Sequence, residues 1–336
     1  MGSTFLAGCA PSLAPAPSST PTPPTSSHES DTDAAGNEKL TSTLFLYDTI
    51  IDITAYTTAE TMATLEKELK NYEHFFSHTV EGSDVWRINE SKGQPTQVDP
   101  MTAEVIARSL PYCDETNGAF NIAIGRITEL WDFAEKTIAQ PEALKDALKH
   151  VDYTKIHVEN DTVTLLDPEM KIELGAVAKG YIADKVVEFL HESGCTSAMI
   201  NLGGNIYAIG TKPNGEPWIV GVQDPQKDGA ILATVPAKDE SVVTSGLYER
   251  SFTKNGIFYH HILDPSTGMP ASSDLIGTTI MGKNSFECDV YSTVTFLLGL
   301  EKALAFLELH SNYEGAFVTT AGEYVPTPGF KGEVVE

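Results

Sequence analysis

Asp289 and Thr293 stand four residues apart in the run NSFECDVYSTVTFLLG, a spacing that puts a carboxylate and a hydroxyl on one face of a helix. Hard oxygen ligands of that kind suit Mg²⁺, which keeps several of its waters and often bridges to substrate phosphates. On its own the pair fits better an acid that complements a helix dipole and a threonine that faces a core. A second cluster is HHILDPSTGMP, residues 260–270, where two adjacent histidines end a strand and meet an Asp-Pro and Thr-Gly turn. A histidine held at such a corner can take a proton, because an unperturbed imidazole titrates near ~6.5. Activity is then expected to rise with pH through that range. Asp264, just past the strand, serves either to orient the ring or to hold the turn.

A third cluster is KIELGAVAKGYIAD. A strand ending at Leu174, a turn at Gly175 and a helix beginning near Ala176 would aim free N–H groups outward as an anion site. Lys179 lies one turn in, where it either reaches a phosphate or is solvated. Glu173 is an acid in an otherwise apolar stretch. The segments NLGGN (Asn201–Asn205) and NGAFN (Asn117–Asn121) are glycine-containing corners that allow close backbone approach to a ligand, or are plain turns. In TSGLYERSF an ordinary ion pair accounts for Arg250.

The elements that must position these residues are legible in the periodicity. STLFLYDTIIDITAY reads as a strand pair turning around Asp48–Thr49. Met62, Leu65, Leu69 and Tyr72 recur at helical spacing, and a second helix starts at Asp99–Pro100, a cap followed by a first-turn proline. PEALKDALKHV gives a third helix, TVTLLD and KIEL strands, and AVAKGYIADKVVEFLHES a helix stopped by Gly194. SAMINLGGNIYAIG, PWIVGVQDP and GIFYHHIL read as strands. Asn284 and Glu287 have capping-box spacing ahead of the Asp289 helix, and EKALAFLELH forms a short helix after it. Helices and strands neither alternate strictly nor segregate, so the fold class is α+β.

The whole chain narrows the chemistry. Its 336 residues can bury a sizeable core, and its formal net charge of -25 repels a phosphate backbone, which excludes nucleic acid as a partner. An anionic ligand would need a local cation. No apolar run is long enough to span a bilayer. Residues 1–38 are read as a separate region, a Pro/Ser/Thr-rich disordered tether, with residues 39–336 as the folded domain. The tetrapeptide LAGC ahead of the tether has the form of a bacterial lipobox, which predicts a lipidated Cys9 and an extracytoplasmic, membrane-anchored protein. Cys113, Cys195 and Cys288 have no metal-site spacing and are expected to be small buried hydrophobes.

Taken together, ELGAVAKGYIAD, NLGGNIYAIG, TSGLYERSF, YHHILDPSTGMPA and CDVYSTVTFLLG occur in the order and spacing of the FAD:protein FMN transferase family, also called ApbE. YDT, SDVWRIN and NGAFNIAIGRITELWDF extend the resemblance from about Leu44 to Gly299. The resemblance implies an α+β fold with a flavin cleft between two subdomains, often on a lipoprotein. It also implies Mg²⁺-dependent transfer of the FMN half of FAD to a threonine hydroxyl of an acceptor protein, with release of AMP; an extracytoplasmic electron-transfer protein is the expected acceptor.

Matched by position, the Ala176 carbonyl, Asp289 and Thr293 become metal ligands. Tyr47, Asn117, Gly118, Ala119, Phe120, Glu173, Lys179, Asn201 and Gly203 become flavin-nucleotide contacts, and His261 the catalytic base, also against the cofactor. Many relatives carry Asp at the positions of Glu173 and Asn121, which leaves the roles of both open. Two other readings stand beside transfer: an FAD hydrolase giving FMN and AMP, and a non-catalytic flavin-binding lipoprotein.

Overall fold

A computed structural model describes residues 32–335; Cys9 and the tether up to residue 31 lie outside the described residues. Eight strands form one sheet, and they follow one another in chain order: β1 (Lys39–Leu46), β2 (Thr49–Tyr56), β3 (Ala198–Leu202), β4 (Asn205–Ile209), β5 (Glu240–Gly246), β6 (Leu275–Gly282), β7 (Glu314–Thr319) and β8 (Tyr324–Pro326). Every neighbouring pair is antiparallel. The β1–β2 hairpin turns on Tyr47 and Asp48, both at positive φ (55° and 57°), the backbone a tight two-residue hairpin requires.

Alternation along the strands sorts side chains onto two faces. Val243 and Ile280, paired across β5 and β6, join the main core beneath the helices. Val242 and Met281, one residue along, face the opposite way into a second cluster. That second face is covered by a small sheet of Trp218–Gln223, Ile231–Ala237 and Glu333–Val334. The molecule is thus a sheet with helices on one side and a smaller sheet on the other, an α+β fold.

The longer helices that close the main core are α1 (Ala59–Phe76), α2 (Pro100–Glu115), α3 (Ala178–Glu192), α4 (Ser285–Leu298) and α5 (Leu300–Leu309), and the short helix Asp84–Glu90 adds Val85 and Ile88 to it. α1 buries Met62, Leu65, Leu69, Tyr72 and Phe76, the stripe its periodicity gives. α2 is capped by Asp99, whose carboxylate accepts from the Met101 N–H, with Pro100 in the first turn. Cys113, Cys195 and Cys288 are free thiols packed in the core, as expected. Among the described residues no helix is long and apolar enough to cross a membrane.

Two local readings are corrected. Lys171–Leu174 is not a strand: the backbone of Ile172 pairs with the side chain of Asn89, its N–H donating to Oδ1 (2.8 Å) and its carbonyl accepting from Nδ2 (3.0 Å). The helix after it starts at Ala178, two residues later than expected, because Val177 stands outside helical geometry (φ -139°). Residues from Thr32 onward form one compact unit, and within it the cleft lies between the main core and a smaller apolar cluster of Ile127, Trp131, Leu144, Phe252, Tyr259 and Leu263.

Candidate active site

The cleft encloses about 630 Å³ and is lined by residues from the segment after α2, the start of α3, α4 and the segment after β5. Arg250 and His261, which flank the hairpin Ser251–Lys254/Ile257–His260, line one wall, and the hairpin itself lies on the smaller cluster. The two histidines at its end part company. His260 is only 5% exposed, with Nε2 at 3.2 Å from the Ala271 carbonyl and its ring edge-on to Phe296. It belongs to the packing, and burial lowers its pKa. His261 stands one residue beyond the strand and lines the cleft.

The ring of His261 is held through Nδ1, 3.3 Å from the Arg250 carbonyl, and its own backbone N–H donates to the same oxygen (3.0 Å). A carbonyl can only accept, so Nδ1 carries the proton and Nε2 is the free base. Nε2 lies 4.0 Å from Glu249 Oε2. Burial pushes the His261 pKa down to about 3, and the charges of Arg250 and Lys179 add to the effect. In this environment the ring is neutral throughout the ordinary histidine range, so the free protein gives no basis for a rise of activity near ~6.5.

Asp264 holds the turn. Its Oδ1 accepts from the Ser266 N–H (2.8 Å) and hydroxyl (2.7 Å), and its carbonyl from the Gly268 N–H (2.8 Å). Gly268 takes φ 69°, and a Cβ there would lie 2.7 Å from Leu144 Cδ2, so the turn is seated directly on the smaller cluster. Trp131 Nε1 donates to the Gly268 carbonyl (3.0 Å).

Opposite stand the starts of α3 and α4. Asn284 caps α4, accepting from the Glu287 N–H (2.9 Å), but Glu287 does not complete the capping box. Its carboxylate accepts instead from the Tyr112 hydroxyl (3.0 Å) and from that of Tyr313. Asp289 follows, 4% exposed, with Thr293 one turn on, and both line the cleft. Asp289 Oδ2 accepts from the Gly180 N–H (2.8 Å), which in an unbroken helix would bond to the Ala176 carbonyl. Burial raises the Asp289 pKa to about 6, against the opposing pull of Lys179 and that N–H.

These donors fit a hard divalent cation. A carboxylate this dry favours a compensating positive charge, and Thr293 and Ala176 line the cleft with it. One carboxylate with neutral oxygens is the donor set Mg²⁺ takes when waters and phosphates complete its shell. Among the described residues no group of three or more His, Cys, Asp or Glu could hold a metal, so a softer, residue-rich site is not supported.

The remaining expected residues divide. Lys179, Glu173, Ala119 and Phe120 line the cleft. Lys179 Nζ reaches the Gly203 carbonyl (3.4 Å). Gly203 has φ 61°, and a Cβ there would lie 2.1 Å from Thr49 Oγ1; Asn201 Oδ1 braces the same turn through the Gly204 N–H (3.0 Å). Asn201 and Gly203 thus act on the cleft through Lys179. Glu173 bends back over its own loop, accepting from the Gly175 N–H (2.7 Å) with His78 Nδ1 at 4.0 Å.

Asn117 and Gly118 sit behind the lining, at φ 51° and 79°, where they stop α2 and turn the chain so that Ala119 onward faces the cleft. Asn121 caps the Ala123 N–H (2.9 Å), a bond that a neutral amide makes. Tyr47 lies outside the lining, its hydroxyl donating to the Leu69 carbonyl under α1, and its neighbour Asp48 lines the cleft in its place. Sequence reasoning missed Glu249 and set Arg250 aside as an ion pair. Burial raises the Glu249 pKa, and the Arg250 charge bears on both it and His261. Their position beside HHIL was the available signal, since a strand pairing with GIFYH brings them next to His261.

Comparison with known proteins matches residues 47–317 to the ApbE family. An FAD:protein FMN transferase of Treponema pallidum is 36% identical over 77% of this chain and 78% of its own length. One of Klebsiella pneumoniae is 34% identical over 75% of this chain and 79% of its own. Among solved structures, the ApbE protein of Thermotoga maritima superposes with a TM-score of 0.81 at 28% identity, covering 88% of this chain and 100% of that one.

Proposed function

The chain belongs to the ApbE family, and from that premise we propose that it is an enzyme that transfers FMN from FAD to a threonine hydroxyl of an acceptor protein, releasing AMP. The observation that carries this reading is the grouping of a buried acid and hydroxyl, two cations and a neutral imidazole on one cleft: Asp289 and Thr293, Lys179 and Arg250, and His261. Phosphoryl-type transfer asks a protein chiefly for positioning and charge neutralisation. In a chain of net charge -25, Lys179 and Arg250 supply the local positive field that a dinucleotide diphosphate requires.

The acceptor hydroxyl oxygen bonds to the phosphorus of the FMN half as the bond from that phosphorus to the AMP oxygen breaks. AMP leaves with the electron pair, and the hydroxyl proton passes to His261 Nε2. Bound phosphates offset the charges of Lys179 and Arg250 that hold the ring's pKa down, so the ring becomes a better base when FAD is present. Mg²⁺, held by Asp289, Thr293 and the Ala176 carbonyl, would neutralise developing negative charge on the phosphates. Ala119, Phe120, Glu173 and the turn at Asn201–Gly203 shape the nucleotide side of the cleft. The LAGC motif supports a lipid anchor at Cys9, and an extracytoplasmic electron-transfer protein is the acceptor this reading expects.

Incubation with FAD, Mg²⁺ and a threonine-bearing flavin-acceptor domain tests the reading. The acceptor band should become fluorescent in a denaturing gel, and omission of Mg²⁺ or the Asp289→Asn substitution should leave it dark. Free FMN without labelling would replace transfer by hydrolysis, and unchanged FAD would reduce the protein to a flavin binder.

A further inference from the structure

The starts of α3 and α4 exchange carboxylates. The Gly180 N–H of α3 donates to Asp289 Oδ2 of α4 (2.8 Å). In return the Ser285 and Phe286 N–H groups at the start of α4 donate to Asp184 of α3, to Oδ1 at 2.8 Å and Oδ2 at 3.0 Å. Gly180 and Asp184 are four apart, as are Ser285 and Asp289, so each helix presents a donor and an acid on one face to its counterpart. Each carboxylate satisfies N–H groups that the other helix start leaves without intrahelical partners.

The helices also touch backbone to backbone. A Cβ on Gly180 would lie 2.4 Å from the Ser285 carbonyl oxygen and 2.7 Å from Asp289 Cβ, so only glycine permits this approach. Ser285 Oγ extends the same junction to the sheet, donating to Asn205 Oδ1 (2.8 Å). Asp184 itself is absent from the lining of the cleft.

We propose that Asp184 is a positioning residue for the transfer reaction, clamping the start of α4 to α3 so that Asp289 and Thr293 stand beside Ala176 and Lys179 on the wall of the cleft. The inference rests on the assignment of Asp289 to the reaction. Without the clamp, α4 loses two of the bonds that fix its first turn. Asp289 then keeps its bond to Gly180 only by chance of geometry, while the rest of α4 stays packed on the sheet.

Three variants test it: Asp184→Ala, Asp184→Asn and Gly180→Ala. Binding of Mn²⁺ in the presence of FAD, followed by electron paramagnetic resonance, is read beside kcat and KM for FMN transfer. Loss of a residue that orients a metal ligand weakens metal binding by about 10–100-fold, and Asp184→Ala should show that loss together with a matching fall in kcat. KM for FAD should change little. Asp184→Asn, which keeps one acceptor oxygen for the Ser285 N–H, should recover part of the loss, a rescue that general unfolding would not give. Gly180→Ala should reproduce the defect from the other side of the junction, and it serves if Asp184→Ala does not fold. Native Mn²⁺ affinity and kcat in a folded Asp184 variant would overturn the proposal, provided Asp289→Asn is inactive in the same assay. An active Asp289→Asn would instead overturn the reading of the site on which the proposal rests.

Discussion

Replacing Asp289 by Asn should stabilise the metal-free protein while removing its response to Mg²⁺. Asp289 is 4% exposed, and burial lifts its pKa from the ordinary 3.8 to about 6. At ~1.4 kcal/mol per tenfold in the proton equilibrium, keeping that group charged at pH 7 costs about 3 kcal/mol, an upper bound for one side chain. The asparagine keeps an acceptor oxygen for the Gly180 N–H and carries no charge, so most of that cost is relieved. For a chain of this size the gain corresponds to a Tm increase of about 5 °C.

The pH dependence carries a defined sign. The folded state holds the Asp289 proton to higher pH than the unfolded chain does, so this contribution is full below pH 3.8 and is lost as pH rises through about 6. Relative to Asp289→Asn, the native metal-free protein should therefore lose stability across that window, because the opposing slope of His261, whose pKa burial lowers, is common to both. Asp289→Asn should lose less; a residual slope remains from Asp184, which burial also raises to about 6. Thermal unfolding at pH 4.5 and 7.5, with and without Mg²⁺, measures all of this. An Asn variant that melts below the native protein at pH 7.5 without metal, or that keeps the native upward shift with Mg²⁺, would refute the reasoning.

Three further outcomes are expected. His261→Ala should bind FAD nearly normally, by flavin fluorescence quenching, and transfer FMN about 10²–10⁴-fold more slowly, the range for losing a general base; His260→Ala should lower stability more than turnover, so equal rate losses would show the corner to be packing alone. Since burial and the Arg250 and Lys179 charges hold His261 neutral down to about 3, FAD binding by the free enzyme should show no histidine step between pH 6 and 8; a step there that vanishes in His261→Ala would contradict the assignment. Expressed from its full native gene, the protein should partition with membranes and Cys9→Ser should release it, which fractionation and blotting will show.

Local periodicity and caps made most of the helical layer legible. The stripe of α1, the Asp99–Pro100 start of α2 and the i, i+4 pair on α4 each depend on residues within one or two turns, and each stands where the sequence puts it. The parts that were not legible depend on distant partners. Lys171–Leu174 alternates like a strand, yet Ile172 finds its hydrogen bonds on Asn89, 83 residues earlier in the chain. Nothing local announces that substitution of a side chain for a neighbouring strand. The pKa of His261 likewise follows from Arg250, Lys179 and burial, which only the assembled cleft brings together. Tyr47 illustrates the converse: a motif position was identifiable, but the positive φ of the hairpin turns its side chain under α1 and leaves Asp48 on the cleft.

Intact-mass and peptide-mapping analysis of an acceptor domain, after incubation with this protein, FAD and Mg²⁺, tests the central claim most directly. The account predicts one added FMN moiety per acceptor, joined to a threonine by a phosphoester bond, with AMP released in equal amount. Free FMN and AMP beside an unmodified acceptor, or FMN attached to a residue other than threonine, would contradict it.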